Sequence, residues 1–247
     1  MRRAAIRAAV LSLGADAVAV YDTAAELHGM GGLRRGSTIH VAVPGNLAKI
    51  RATDDVRVHQ LALAGEAICE VNGTPVTTPL HTAAHVICRA ERFAAVSVLD
   101  SALHQGLLDP ADLDVMLGLI RRRRGAVLAR RCLAEADGRA ESPLETRVRL
   151  RCADGRVPPD DLQHQVRGDD GQVIATVDAA WTRARVAAEA DGHEPHATPA
   201  ALFDDRRRQN RLVNAGWKVL RFTWIDTLQP DYIPTVVRAA LSRSRNR

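Results

Sequence analysis

The chain has 247 residues, of which 46% are hydrophobic and 26% are charged, and its formal net charge is +5. This length is sufficient for two domains, and the composition allows a buried core inside a soluble protein. No run of about 18 uncharged apolar residues occurs, which excludes a membrane span, and Arg7 interrupts the apolar N-terminal stretch, which argues against a secretory leader. The four cysteines form no CxxC pair, so we expect reduced thiols in a cytoplasmic protein rather than a zinc site or disulfides.

Much of the positive charge is arginine, concentrated at 121–124 and 206–208. Because arginine binds phosphate with two parallel hydrogen bonds, a nucleic-acid partner is one interpretation. The other is that these arginines form solvated helix faces. Charge alone leaves both interpretations open.

The first part of the chain predicts a small α+β region followed by helices. Asn72-Gly73 is the strongest two-residue hairpin signal in the chain. Gly14 and Gly29 end two helices, and Thr23 can cap the second of them. Asp109 followed by Pro110 indicates another helix start. The predicted elements are helices at 1–14, 24–28, 80–89, 92–105, 110–120 and 126–136, and strands at 37–43, 56–63, 67–71 and 74–77.

A polar break at 137–140 indicates a boundary, so we expect domains at 1–138 and 141–247. Ser142 and Glu145 form a capping box, with Pro143 at the first helical position. The order α-β-β-β-α-β-α predicts a mixed sheet covered by helices, so the fold class is α/β in the broad sense (α+β). The predicted elements are helices from 143 to 152, at 199–215 and at 232–242, and strands at 163–167, 172–179, 185–190 and 217–223.

Two carboxylates, Asp178 and Glu189, interrupt neighbouring apolar strands. If 182–183 forms the tip of a two-residue hairpin, Trp181 pairs with Ala184. Asp178 and Glu189 then lie on the same face as diagonal neighbours, with Cβ atoms roughly 7 Å apart. An acid in such an apolar setting needs a partner or a metal ion.

Carboxylates at this spacing could share one Mg²⁺ (or Mn²⁺), since these ions prefer oxygen ligands. Glu145 could approach from the first helix as a third carboxylate. Two alternatives remain open. Asp178 and Glu189 could instead be paired with arginine at strand ends, and the capping box alone explains an acid at Glu145.

The second unit contains five informative blocks: 141–147 (ESPLETR), 177–181 (VDAAW), 186–192 (VAAEADG), 205–210 (DRRRQN) and 215–223 (AGWKVLRFT). Together they resemble the DUF559 family, which is similar to very-short-patch repair endonucleases and belongs with the PD-(D/E)XK nucleases. The resemblance covers residues 141–228 with the blocks in the right order. It implies a restriction-endonuclease-like mixed sheet flanked by helices, preceded here by a smaller α+β domain with a helical segment.

The resemblance implies that Asp178 and Glu189 are the acidic strand residues of a catalytic site that holds the metal. The lysine of the usual (D/E)XK motif is missing, because Asp191 stands at its position. Lys218 is a weaker candidate for the missing cation. This departure puts standard nuclease catalysis in doubt.

The activity implied is metal-dependent hydrolysis of phosphodiester bonds in DNA, with the metal polarising the scissile phosphate. The family's loop histidine corresponds to His196, with His193 as the nearby substitute, and it would transfer the proton. Glu145 is the third catalytic candidate. Pairing of Arg208 with Asp204 along a helix is the alternative to phosphate binding for that arginine. The candidates for nucleic-acid binding are Arg207, Arg208 and Arg221.

The first unit resembles the middle part of AbiEi-type antitoxin proteins, through the blocks 23–29 (TAAELHG) and 72–79 (NGTPVTTP). That family usually starts with a winged helix-turn-helix, for which there is no room before Thr23, so this module is absent or the start is truncated. His28, His81 and His85 match no metal spacing and are interpreted as buried or surface histidines.

Three functions are therefore compatible with the sequence. The first is a metal-dependent DNA endonuclease in repair or phage defence. The second is a non-enzymatic DNA-binding regulator or antitoxin, with a possible toxin partner, that retains a nuclease fold. The third is a protein-interaction module whose basic charge is incidental.

Overall fold

The computed structural model describes residues 1–34, 36–44, 54–168, 170–192 and 199–244. The chain divides into two compact units, Met1–Gly138 (unit 1) and Arg139–Arg247 (unit 2). Each unit combines helices with a mixed sheet, which confirms the predicted fold class. Within the described ranges, no helix is both long and apolar enough to cross a membrane.

Unit 1 begins with α1 (Arg2–Ser12), β1 (Val18–Ala19), α2 (Tyr21–His28), β2 (Ile39–Val43), β3 (Val56–Gln60), β4 (Ile68–Val71) and β5 (Thr74–Thr77). The strands form one sheet in the order β3-β2-β1-β5-β4. Pairing is parallel between β2 and β3 and between β1 and β5, and antiparallel elsewhere. The helices α1 and α2 cover the sheet, because Ile6, Val10 and Leu27 pack with Ile39 and Val41.

The predicted hairpin at Asn72-Gly73 is confirmed. Asn72 has a φ of 49° and Gly73 one of 74°, and two positive values are what the favoured two-residue hairpin turn requires. The predicted cap at Thr23 is wrong, because α2 already begins at Tyr21. The Thr23 hydroxyl instead accepts a hydrogen bond from the His40 amide at 2.8 Å, which ties α2 to β2.

Four helices complete unit 1 close to their predicted positions: α3 (Pro79–Ile87), α4 (Arg92–His104), α5 (Asp112–Leu119) and α6 (Ala126–Glu135). Thr78 caps α3 by accepting a hydrogen bond from the His81 amide. The predicted cap at Asp109 is wrong. The Asp109 amide donates to the Asp112 carboxylate at 2.8 Å, which forms a turn before α5 begins.

Unit 2 has the predicted order, with α7 (Pro143–Asp154), β6 (Asp161–Arg167), β7 (Val173–Trp181), β8 (Val186–Ala190), α8 (Pro199–Asn214), β9 (Lys218–Phe222) and α9 (Tyr232–Ser244). The sheet order is β6-β7-β8-β9, antiparallel except for the parallel pair of β8 and β9. The predicted helix start is confirmed, since Ser142 caps α7 and Pro143 occupies its first turn.

Two apolar layers lie on the two faces of the unit 2 sheet. Leu162, Ala179 and Ala188 pack with residues of α7 and α9, such as Val148 and Ile233. On the other face Leu212 of α8 packs with further strand residues, which are Val166, Ala175, Val177, Ala180 and Ala187. The sheet is therefore covered by helices on both sides.

The alternation of side chains along β7 is broken at Asp178. Val177 belongs to the layer under α8, whereas Ala179, two residues later, belongs to the layer under α7. A regular strand would place both on one face. On the neighbouring strand Gln163 has a positive φ of 49°, which is uncommon for a residue other than glycine. The alternation of side chains in the sheet thus changes where Gln163 of β6 lies opposite Asp178 of β7.

The predicted two-residue tip between β7 and β8 is wrong. Trp181 pairs with Val186 rather than Ala184. The connection spans 182–185, with a short 3₁₀ turn followed by Arg185 in the left-handed conformation at a φ of 51°. The sequence offers no signal for this turn, because arginine adopts a positive φ only rarely.

A cluster of aromatic rings lies beside the sheet of unit 1. Tyr21 contacts His59 and His85, with ring centroids 4.8 and 5.5 Å apart, and His40 Nδ1 lies 2.9 Å from His59 Nε2. The Arg89 guanidinium sits 4.1 Å above the Tyr21 ring. His85 is 2% exposed, as expected for a buried histidine. Burial, followed by the nearby charge of Arg123, lowers the pKa of His85 to about 4.

We therefore expect unit 1 to lose stability in mild acid. The pKa of His85 is lower in the folded state than its ordinary value of 6.5. The stability that depends on a neutral His85 is therefore fully present above pH 6.5 and is lost as the pH falls toward 4. A shift of this size corresponds to roughly 3 kcal/mol. Hydrogen exchange of unit 1 peptides between pH 7 and pH 4 would measure the loss, and His85→Gln should flatten the dependence.

The control is His104→Gln, because His104 is exposed at the end of α4. This variant should keep the pH dependence of the wild type. An unchanged dependence in His85→Gln would show that His85 does not cause the acid sensitivity.

Candidate functional site

Asp178 lies where β7 changes its side-chain pattern. Its Oδ2 atom accepts a hydrogen bond from the Ala190 amide at 2.7 Å. Burial is the largest effect on this carboxyl and raises its pKa to about 6, opposed by the Ala190 hydrogen bond. The negative charges of Glu145 and Glu189 raise it further. Asp178 is thus held as a carboxyl group that gains a proton easily.

Glu145 faces Asp178 from the first turn of α7. Ser142 Oγ accepts from the Glu145 amide at 3.2 Å, which is half of the predicted capping box. The Glu145 carboxylate accepts from the amide of Glu141 and from Gln163 Nε2, both at 2.9 Å. Together with Asp178, Glu145 and Arg149 line a small cavity between α7 and the sheet. The structure therefore combines the capping role of Glu145 with a position next to Asp178.

Glu189 is 8% exposed and lies between two arginines. Arg221 is its direct neighbour in the parallel register of β8 and β9, with Nε 3.4 Å from Glu189 Oε2. Arg208 of α8 places Nη1 2.6 Å from Oε1, in an ion pair without hydrogen-bond alignment. Both carboxylate oxygens of Glu189 are therefore occupied by guanidinium groups.

Arg221 is held in turn by Asp205. The Arg221 Nη2 atom donates to both carboxylate oxygens of Asp205 at 2.9 Å. Burial alone would lower the pKa of Arg221, but its hydrogen bond to Asp205 and the negative charges of Asp205, Glu189 and Asp191 raise it above its ordinary value. Arg221 is therefore firmly charged and bridges β8, β9 and α8.

Among the described residues, the remaining catalytic candidates do not contact the carboxylates of Asp178 and Glu189. Asp191 is exposed, and its amide donates to the Phe222 carbonyl at 2.8 Å. Lys218 pairs with Val186 at the other end of β9. It is three strand positions from Arg221, roughly 10 Å, so it does not supply the missing cation. His196 and its substitute His193 lie outside the described residues.

The arginines proposed for phosphate binding have different surroundings. Arg207 is exposed and lies 3.9 Å from Asp204. The alternative pairing of Arg208 with Asp204 is wrong, because Arg208 turns to Glu189 and to the Thr176 carbonyl. The alternative that Glu189 is paired with arginine is confirmed, but the sequence did not identify Arg208 and Arg221 as the partners. The parallel pairing of β8 with β9 was not predicted, so the register that joins Arg221 to Glu189 could not be read from the pattern.

A Mg²⁺ ion shared by Asp178 and Glu189 does not fit this arrangement. One oxygen of Asp178 is taken by the Ala190 amide, and both oxygens of Glu189 contact arginine. Among the residues that the structure describes, no three histidine, cysteine or acidic side chains are grouped so that they could hold a metal ion. Metal binding here would require Arg208 and Arg221 to release Glu189.

Unit 1 is similar to one family of known proteins. Residues 17–136 match the model of the AbiEi antitoxin C-terminal domain. Two relatives are the uncharacterized proteins MT2308 and Rv2248 of Mycobacterium tuberculosis, from strains CDC 1551 / Oshkosh and ATCC 25618 / H37Rv. Each is 34% identical over 234 residues, which cover 94% of this chain and 84% of the relative. No solved structure matches the chain significantly.

The raised pKa of Asp178 predicts a pH effect opposite to that of His85. An acid whose pKa is about 6 in the folded protein and 3.8 ordinarily costs stability as the pH rises from 4 through 6. The cost at neutral pH is roughly 3 kcal/mol. Asp178→Asn keeps an acceptor for the Ala190 amide and removes the charge. It should therefore be more stable than the wild type above pH 6 and equal to it at pH 4.

Tryptophan fluorescence during urea unfolding, in buffer with EDTA, would measure this difference. All three tryptophans, Trp181, Trp217 and Trp224, lie in unit 2 and report on it alone. The control is Asp204→Asn, because the Asp204 side chain is 76% exposed. A stability difference between Asp178→Asn and wild type that does not change with pH would contradict the assignment.

Proposed function

We propose that this chain, which belongs to the same family as the two mycobacterial relatives and carries the AbiEi antitoxin C-terminal domain, acts as a toxin–antitoxin regulator. Its unit 1 would bind and neutralise a toxin protein, and its unit 2 would bind DNA without cleaving it. The observation that carries the proposal is the antitoxin match, which spans residues 17–136 of the 138 residues of unit 1.

The surface of α5 and α6 supports binding to a protein partner. Four apolar side chains are exposed there: Val115, Leu117, Val127 and Leu128. They are accompanied by the exposed arginines Arg121, Arg122, Arg124, Arg130 and Arg131. Exposed apolar side chains among charged ones are typical of protein interfaces, where arginine is enriched. We give the name α5–α6 face to these nine residues of the two helices and their connection, and propose that they contribute to the toxin-binding surface.

The surroundings of Glu189 support binding over hydrolysis in unit 2. The guanidinium groups of Arg208 and Arg221 neutralise this carboxylate, so its negative charge does not favour the binding of a metal ion. Loss of the lysine at the Asp191 position favours the same conclusion. Unit 2 thus combines the residues of a nuclease-like site with an arrangement suited to a structural role.

The toxin-neutralising role can be tested by co-expression with a candidate toxin protein that arrests growth when it is expressed alone. We expect growth arrest by that toxin to be relieved by the wild type and by Asp178→Ala. Val127→Glu with Leu128→Glu should abolish the relief, because two carboxylates would interrupt the α5–α6 face. The measurement is growth rate after induction.

The matched control is Leu11→Glu, since Leu11 is 60% exposed on α1 of the same unit and Val127 is 67% exposed. This variant should neutralise like the wild type. Relief of arrest by the double α5–α6 variant would remove that face from the proposal, and arrest that the wild type cannot relieve would remove the antitoxin role.

A metal-dependent endonuclease is the second candidate function. The proximity of Asp178 and Glu145, which line one cavity and repel each other electrostatically, favours it, because two neighbouring carboxylates are what such a site needs. Nicking of supercoiled plasmid with Mg²⁺ or Mn²⁺ separates the two functions. We expect no metal-dependent nicking by the wild type. Nicking that is lost in both Asp178→Ala and Glu189→Ala, but kept in the surface control Asp204→Asn, would establish the nuclease instead.

A further inference from the structure

One end of the unit 2 sheet carries two adjoining cavities of about 780 and 440 Å³. Arg185 and Trp217 line both of them, so the two form one continuous depression. Six cationic side chains line it, and we call it the basic groove: Arg167, Arg183, Arg185, Arg211, Lys218 and Arg243. No acidic residue is among the lining residues.

The charges of the basic groove are not neutralised within the described part of the chain. All six cationic residues are exposed, and none forms an ion pair there. Where their guanidinium groups are fixed, the acceptors are uncharged. Arg185 donates to the Ala215 carbonyl at 3.4 Å, and Arg167 to the Gly171 carbonyl and the Gln165 side chain at 3.0 and 2.8 Å. Six like charges around one depression repel one another, so their grouping favours an anionic ligand.

An aromatic surface lies at the centre of the groove. Trp217 is half-buried, and its ring is 5.5 Å from that of His164. Val213, on the last turn of α8, is exposed beside it. Proteins that bind single-stranded nucleic acid combine a basic track for the backbone with aromatic rings on which bases stack. The groove provides both components.

The basic groove is separate from the acidic pair described above. Arg183 and Arg185 lie in the connection between β7 and β8, and Lys218 begins β9. Glu189 and Arg221 are paired three positions further along these strands, roughly 10 Å away. The groove also contains none of the arginines proposed from the sequence, which were Arg207, Arg208 and Arg221.

We propose that the basic groove binds single-stranded nucleic acid through its phosphodiester backbone, with bases stacking at Trp217. The inference rests on the proposed binding of DNA by unit 2, and it assigns that binding to the basic groove. The ligand chemistry is a chain of phosphates spaced along the groove, read without base-specific hydrogen bonds. An acidic protein segment would satisfy the charges but would gain nothing from stacking.

The experiment is fluorescence anisotropy with a fluorescein-labelled oligothymidylate of 20 nucleotides and the full chain, repeated from 50 to 300 mM salt. The groove variant combines Arg183→Gln, Lys218→Gln and Arg243→Gln. We expect its affinity to fall about tenfold or more at low salt, and the salt slope to fall by about 2, which is three lost phosphate contacts on a single strand.

The matched control removes the same charge elsewhere, with Arg3→Gln, Arg7→Gln and Arg57→Gln, three exposed arginines of unit 1. It should bind within about twofold of the wild type, since a site-specific contact differs from a net-charge effect. Equal weakening by both triple variants would overturn the groove. Tighter binding of a duplex of the same length, or equal competition by polyglutamate, would overturn the assignment to single strands.

Two results separate this inference from the proposed function. A groove variant that binds oligothymidylate like the wild type overturns the groove while DNA binding stands. A wild type that binds no oligonucleotide overturns the groove and the DNA-binding role, whereas relief of toxin arrest still decides the antitoxin role. Tryptophan fluorescence during urea unfolding verifies that the groove variant is folded.

Discussion

Unit 2 depends on the neutralisation of Glu189, a carboxylate buried between a strand and a helix. Taking such a charge out of water is costly unless it is paired. Here the partners come from two different elements, Arg221 of β9 and Arg208 of α8. The same contacts that neutralise the charge therefore hold β9 and α8 against β8. Asp205 completes the arrangement by accepting two hydrogen bonds from Arg221. Removing either arginine would leave a buried charge without its full compensation, so these side chains are as important to the fold as the apolar layers around them.

The carboxyl group of Asp178 is also partly removed from water, but it has no ion pair with a cation among the described residues. Burial raises its pKa, and the neighbouring carboxylates Glu145 and Glu189 raise it further, although the hydrogen bond from the Ala190 amide opposes the rise. Glu189 is thus paired with cations, whereas the pKa of Asp178 is raised. A shared metal ion would need both as anions with free oxygens. The contacts with arginine compensate the charge of Glu189 without a metal ion, whereas the raised pKa of Asp178 costs stability at neutral pH.

The sequence predicted the order of the elements well and the fine register poorly, for physical reasons. Helix starts at Ser142 and the hairpin at Asn72-Gly73 are set by local chemistry, so they could be read from a few residues. The two-residue strand β1 is too short to show alternation. The errors around Asp178 come from backbone conformations that arginine and glutamine rarely adopt, at Arg185 and Gln163. Two carboxylates were correctly expected to need partners, but the partner of Glu189 depended on the parallel register with β9, which only tertiary structure fixes.

The positions of charge on the unit 2 sheet explain how binding and hydrolysis can be separated in such a fold. The acidic residues and their arginines lie toward the end where β8 finishes, while the uncompensated cations surround the connection between β7 and β8. Arg208 and Arg221 are paired with carboxylates. Their positive charge is therefore largely neutralised and attracts phosphate only weakly. The arginines of the basic groove have only uncharged acceptors. Phosphate binding in the basic groove, as proposed, would therefore not depend on the acidic residues near Glu189, because the two sets of side chains lie at different ends of the paired strands.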